Sequence, residues 1–113
     1  MTYGTIRLIK KDSESYLAWA KDDLVCIICN LNVKHTNEGI QKAKQHFRMI
    51  IDRVIQHGGS FYLTYHKWAT KQQIIACYPQ FIDFLRLKKQ YDPSERFQST
   101  WYQHYKEMFS EEL

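Results

Sequence analysis

The sequence predicts an α+β fold: an antiparallel or mixed sheet of three to four strands covered by helices, with one long crossover helix. Three observations lead there. Several segments alternate apolar and polar residues with the period of a strand. One long segment carries apolar residues at spacings of three and four, the mark of a helix with one buried stripe. Capping residues and stop signals then divide the last third into short helices. With 113 residues, the chain is expected to form a single domain, residues 1–113.

Residues 2–10 alternate around Ile6 and Leu8 and read as a strand. Residues 11–14 read as a turn and 16–20 as a short second strand, with Asp22 and Asp23 marking another turn. Residues 24–33 are apolar on both faces until Asn30 and Asn32, which predicts a central strand. Thr36 is an N-cap for a helix over 37–57. Its stripe of Ile40, Ala43, Phe47, Ile50, Ile51, Val54 and Ile55 is expected to face the sheet. Gly58 and Gly59 supply a stop that tolerates positive φ.

Residues 60–66 alternate again, with Phe61, Leu63 and Tyr65 on one face and Tyr62, Thr64 and His66 on the other. Thr70 and Gln73 form a capping box for a short helix to Cys77. Pro79 suits the first position of the next helix, to Gln90, with Phe81, Phe84, Leu85 and Leu87 on its apolar side. Asp92-Pro93 breaks the chain. Ser99 caps a last helix carrying Trp101, Tyr102, Tyr105, Met108 and Phe109.

Composition narrows the function classes. Aromatic residues make up 15% of the chain, which suits interfaces and ligand walls as well as cores. Its 16 Lys and Arg are interleaved with 12 Asp and Glu, for a net charge of +4. That scatter disfavours nucleic acid, which calls for a clustered basic patch, while leaving an anionic partner acceptable. Three cysteines without a secreted-type framework point to a reducing cytoplasm. The opening MTYGTIRLIKK lacks the apolar core of a signal peptide, and the run 24–29 is too short to cross a bilayer.

Cys26-Ile27-Ile28-Cys29 has the spacing of a thiol or zinc motif. Within a strand, however, its two side chains point to opposite faces, and no second pair completes four ligands. Two small buried residues are the expected reading, and no metal site is expected. Of the five histidines, His46 and His57 fall on the exposed side of the long helix. His66 stands at a strand end beside Lys67 and Trp68, where a titratable group has a use. Tyr62, Thr64, Tyr65, His66, Lys67 and Trp68 mix aromatic and polar groups densely. They suit either a pocket wall that stacks on a flat ring or ordinary cross-strand packing. No Gly-rich phosphate loop is present, so neither a Rossmann nor a P-loop site is expected.

The segments GGSFYLTYHKWAT (58–70) and CYPQFIDFLRLKKQYDPSERFQSTWYQHY (77–105) resemble the end of FAD-linked oxidases of the vanillyl-alcohol oxidase superfamily. D-arabinono-1,4-lactone oxidases, other sugar-lactone oxidases and decaprenylphosphoryl ribose oxidases are the members most alike. The shared features are Gly-Gly before an aromatic strand, Tyr-Pro opening a helix, a basic run into Tyr-Asp-Pro, and Phe-x-Ser. An alternating strand, a cysteine-containing strand and a long helix before Gly-Gly extend the resemblance over nearly the whole chain. It implies the carboxy-terminal substrate-side (cap and tail) part of an FAD-dependent oxidoreductase acting on a CH–OH group of a sugar, sugar-lactone or alcohol. The FAD-binding domain or subunit would be a separate partner, so the isolated chain is expected to bind no FAD and to be inactive.

By that resemblance Tyr62 and Tyr65 face the flavin, with Lys67 a further cofactor contact. His66 and Tyr65 are the catalytic candidates, His66 orienting or deprotonating a substrate hydroxyl. Asn30, Asn32, Tyr62 and Trp68 are the substrate-binding candidates for a small polyhydroxylated molecule. The pattern departs from the family at two places. Tyr65 stands where decaprenylphosphoryl ribose oxidases carry a Lys, and His66-Lys67-Trp68-Ala69 stands where lactone oxidases carry His-Trp-Gly-Lys. An aromatic face without its neighbour would favour self-association, so a homodimer is a further expectation. The rival reading is a small basic RNA- or ligand-binding α+β module, whose aromatic strand would stack bases. Salt-sensitive binding to single-stranded RNA would distinguish it. A purely structural dimerisation domain is a third possibility.

Overall fold

Residues 3–113 are described by a computed structural model, in which two strands precede four helices among the described residues. These are β1 (Tyr3–Ile9), β2 (Leu24–Asn30), α1 (Asn37–Gln56), α2 (Lys71–Cys77), α3 (Phe81–Tyr91) and α4 (Thr100–Met108). The α+β class holds. The predicted start of the first strand at Thr2 lies outside the described residues.

The sheet is smaller than the alternation suggests. β1 and β2 form a two-stranded antiparallel ladder from Tyr3↔Asn30 to Ile9↔Leu24. Because opposed residues share a face, Gly4, Ile6, Leu8, Val25, Ile27 and Cys29 line one side. Tyr3, Thr5, Arg7, Ile9, Leu24, Cys26, Ile28 and Asn30 line the other. Cys26 and Cys29 therefore diverge as the pattern requires, but they are not the expected buried pair, since Cys29 is exposed and Cys26 half-buried. The loop end of the hairpin is tied by Lys10 Nζ to the Asp23 carboxylate at 2.6 Å and by the Lys11 N–H to the same group.

Two expected strands are absent, each for a local reason. Over 16–20 the backbone instead follows a turn: the Asp12 carboxylate accepts from the N–H groups of Glu14 and Ser15, and Ala18 N–H bonds to Ser15. This turn carries Leu17 and Trp19 onto the helical core. Residues 60–66 form a loop whose carbonyls are taken by side-chain donors from elsewhere in the fold. Consequently β2 is one of a pair rather than central, and it ends at Asn30.

The helix signals fare better. Thr36 Oγ1 accepts from Gly39 N–H at 3.1 Å to start α1, and Gly58 closes it at φ 72°. Thr70 and Gln73 make both halves of the capping box, and Ser99 caps α4 through Tyr102 N–H. Pro79 and Gln80 form a turn before α3 rather than its first residues.

The stripe of α1 faces the helical body instead of a sheet. Ala43 and Ile51 are buried, and Phe47 and Ile55 pack on the core, while Ile40 and Ile50 remain exposed. The core consists of Ile51, Leu63, Ala69, Ile74, Cys77, Tyr78, Phe81, Leu85, Tyr102, Tyr105 and Phe109, with nothing from β1 or β2. At its centre Phe81 meets Tyr105, Phe109 and Trp101 at ring distances of 5.2, 5.4 and 5.8 Å. The radius of gyration is 15.4 Å, against about 13 Å for a compact chain of this size.

Candidate functional site

The segment joining α1 to α2, residues 57–70, holds most of the predicted site residues. It is a loop with a fixed backbone. The Tyr78 hydroxyl donates to the Phe61 carbonyl, and the Trp101 indole donates to the Leu63 carbonyl at 3.1 Å. Arg48 Nε donates to the Trp68 carbonyl at 2.7 Å, and the Ser60 hydroxyl donates to the Trp19 carbonyl. These side chains do for the loop what a neighbouring strand does for a ladder: they satisfy buried carbonyls.

Phe61 and Leu63 point into the core. Their outward neighbours are open to solvent, Tyr62 at 48% and Tyr65 at 74% exposure. Tyr65, predicted to share a face with Phe61 and Leu63, instead turns outward, because the chain turns at residues 63–64 and the alternation breaks there. Tyr62 and Tyr65 meet at a ring distance of 5.5 Å, and Trp19 packs its edge on Tyr62 at 5.7 Å.

Beside them, His66 lies flat on Trp68 at 4.2 Å and an interplanar angle of 7°. Phe47 on α1 abuts both rings edge-on, at 5.8 and 5.9 Å. The imidazole thus has a fixed plane, while among the described residues no carboxylate hydrogen-bonds it. The result is an aromatic surface in two groups, Trp19–Tyr62–Tyr65 and His66–Trp68 on Phe47, together the shelf, over a buried base.

Three predicted site residues lie elsewhere. Lys67 extends its ammonium to the Thr100 carbonyl at the start of α4, 3.4 Å away. Asn30 ends β2 and the exposed Asn32 follows it, and among the described residues neither hydrogen-bonds to the shelf. They sit on the hairpin, which the core does not hold against the loop. The residues that position the shelf, Arg48, Ser60, Tyr78 and Trp101, had no sequence signal. Their partners are 17 to 41 positions away.

Local electrostatics separates structural from available groups. Burial pushes the Cys77 thiol up, making it a poor nucleophile. Burial likewise holds the Tyr78 phenol neutral well above its ordinary range. His104 is pushed below the usual imidazole value by burial and then by the nearby Lys67 ammonium.

The shelf is open. Two open depressions lie along α3 and α4, one lined by Phe84, Lys88, Phe97 and Tyr102, the other by Gln98, Gln103, Lys106 and Glu107. Neither includes a residue from 60–68. Among the described residues no three His, Cys, Asp or Glu gather as metal ligands, and no helix is long and apolar enough to cross a membrane. No family model, no curated protein and no solved structure matches the chain.

Proposed function

We propose that this chain is the substrate-side, carboxy-terminal part of a cytoplasmic FAD-dependent oxidoreductase, acting on a CH–OH group of a small polyhydroxylated substrate and completed by a polypeptide that carries the flavin. The observation that supports it most is the shelf itself. Tyr62, Tyr65 and His66, the last stacked on the half-buried Trp68, stand in solvent on a backbone anchored at Phe61, Leu63 and Trp68. Ordering exposed aromatic groups this firmly is costly unless something flat is to lie on them. The motif order that resembles FAD-linked oxidases supplies the identity of that group.

When bound by its own domain, FAD supplies the hydride acceptor. The chain's share is positioning and proton handling. His66, with its ring plane set by Trp68 and Phe47, takes the substrate hydroxyl proton at a ring nitrogen. Tyr62 and Tyr65 present hydroxyl groups that orient a sugar-like ligand and rings that exclude water from one side. Lys67 serves α4 and contributes at most a diffuse positive field.

The test is recovery of the affinity-tagged chain from its native cells. A co-purifying polypeptide with stoichiometric FAD is expected, and its flavin should bleach on addition of a sugar-lactone or alditol substrate. His66→Ala should leave FAD content unchanged and slow bleaching by ~100-fold or more. Stoichiometric FAD on the chain alone, or a flavin-free partner, would contradict the reading.

A further inference from the structure

The hairpin poses a separate question. Ile6 and Leu8 are 72% and 87% exposed, Val25 and Ile27 are exposed beside them, and none of these is in the core. Every described residue of β1 from Tyr3 to Leu8 is exposed, whereas β2 is half-buried at every second position. Within the described residues β1 pairs only with β2, so its outer edge carries open N–H and C=O groups. Native edges are ordinarily blunted by lysine, proline, a bulge or shortness. β1 is seven regular residues, Tyr-Gly-Thr-Ile-Arg-Leu-Ile, without lysine, proline or a bulge and with Arg7 as its one charge. A lone two-stranded ribbon is also at the margin of stability in water, and a third strand changes that.

We infer that β1 is a docking edge that receives one β-strand from a second, different polypeptide. That strand alternates apolar residues, which extend the Ile6–Leu8–Ile27 face, with polar residues that include a carboxylate beside Arg7. Two considerations select this occupant over a second copy of the chain.

The first is area. Seven residues at ~3.4 Å along two strands ~4.8 Å apart give the bare face a footprint of about 230 Å². A stable interface takes about 800 Å² from each partner. Stacking two such faces therefore falls well short, whereas an added strand gains a row of backbone hydrogen bonds as well as apolar contact. The second is charge. Arg7 lies on the other face of β1, opposite Cys26, and among the described residues no carboxylate pairs with it. Full antiparallel pairing of β1 with its own copy sets each Arg7 opposite Thr5 and diagonal to the other Arg7, an unfavourable like-charge arrangement. An acidic residue on the incoming strand reverses the sign.

The inference deepens the proposed function by naming where the flavin-carrying polypeptide is received, and rests on it for that partner's identity. Strand addition itself is testable without flavin. The probe is a synthetic peptide alternating Val and Thr with one central Glu, compared with its Glu→Lys and mid-chain Pro versions. The readouts are fluorescence anisotropy and hydrogen exchange on the full chain. The Glu peptide should bind, slow exchange of β1 amides ~10-fold, and bind ~5-fold more tightly than the Lys peptide, with the Pro peptide inert. Arg7→Glu, an exposed change verified as folded by circular dichroism, should invert the Glu/Lys preference. Absence of β1 protection with every peptide overturns the inference, as does a Glu/Lys preference that Arg7→Glu leaves unchanged. A dimer of the chain protected along β1 overturns it in favour of a second copy. If the peptides behave as stated but the polypeptide recovered from cells carries no flavin, the docking edge stands and the oxidoreductase reading falls.

Discussion

The two ends of this chain satisfy their apolar residues in opposite ways. In the helical part the inward-facing aromatic and aliphatic side chains close on one another: Tyr78, Phe81, Tyr105 and Phe109 are wholly buried. Along β1 and the outward face of β2 an equally regular apolar pattern is displayed to water. Both segments have strong local signals, so propensity does not separate them. What differs is whether a second layer exists. α2, α3, α4 and the shelf loop form mutual layers around Phe81, whereas the hairpin has nothing described on the face of Ile6 and Leu8. The helical part is a self-sufficient body and the hairpin is an element awaiting completion.

The sharpest way to break that contrast is at its centre. Phe81→Ala removes a wholly buried ring that contacts Trp101, Tyr105 and Phe109. It should cost ~3–5 kcal/mol in urea denaturation, enough to leave much of a marginal domain unfolded. Tyr78→Phe is next: it leaves the Phe61 carbonyl without its donor and should cost ~1–3 kcal/mol. The same change should loosen the shelf, seen as faster exchange at residues 61–65.

The alkaline limb sharpens the comparison further. Burial holds the Tyr105 phenol up at about 12, and burial followed by its hydrogen bond to Glu95 holds Tyr102 up at about 12. In the unfolded chain both ionise near pH 10. The folded state thus keeps protons that the unfolded state releases, so this stabilisation is complete below about pH 10 and disappears as pH rises through about 12. Urea midpoints measured across that window should fall, and Glu95→Gln should make the fall shallower. The smallest effect belongs to the hairpin: Ile6→Ala in the isolated chain should shift stability by no more than ~0.5 kcal/mol, because the side chain is already in water.

Residues with short-range partners were legible in the sequence. Thr36, Thr70 with Gln73, Ser99 and Gly58 act within one helical turn of themselves, and each does what its type and position suggest. The alternation of β1 and the apolar run of β2 located both strands, but their pairing was hidden by the strand expected between them at 16–20, which does not form. The segment 60–66 shows where such reading stops. Phe61 and Leu63 do point inward together, as a period of two requires, but a strand also needs a neighbour, and donors from Tyr78 and Trp101 take the carbonyls instead. Within the site, Tyr62 with Tyr65 and His66 with Trp68 were found because they are near in sequence. Asn30 and Asn32 were assigned to the same place on chemistry alone, and the fold sets them on a different body. Lys67 is adjacent to His66 in sequence yet reaches the Thr100 carbonyl, 33 positions away, which sequence spacing does not reveal.

Native-state hydrogen exchange of the isolated chain, resolved by residue, tests the contrast between the two bodies most directly. Amides of α2 and α3 should open only with global unfolding, while those of β1 and β2 exchange through local opening at much lower free energy. Hairpin amides as slow as those around Ile74 and Leu85 would mean that the ribbon is complete without any partner, and the docking edge would then have no reason to exist.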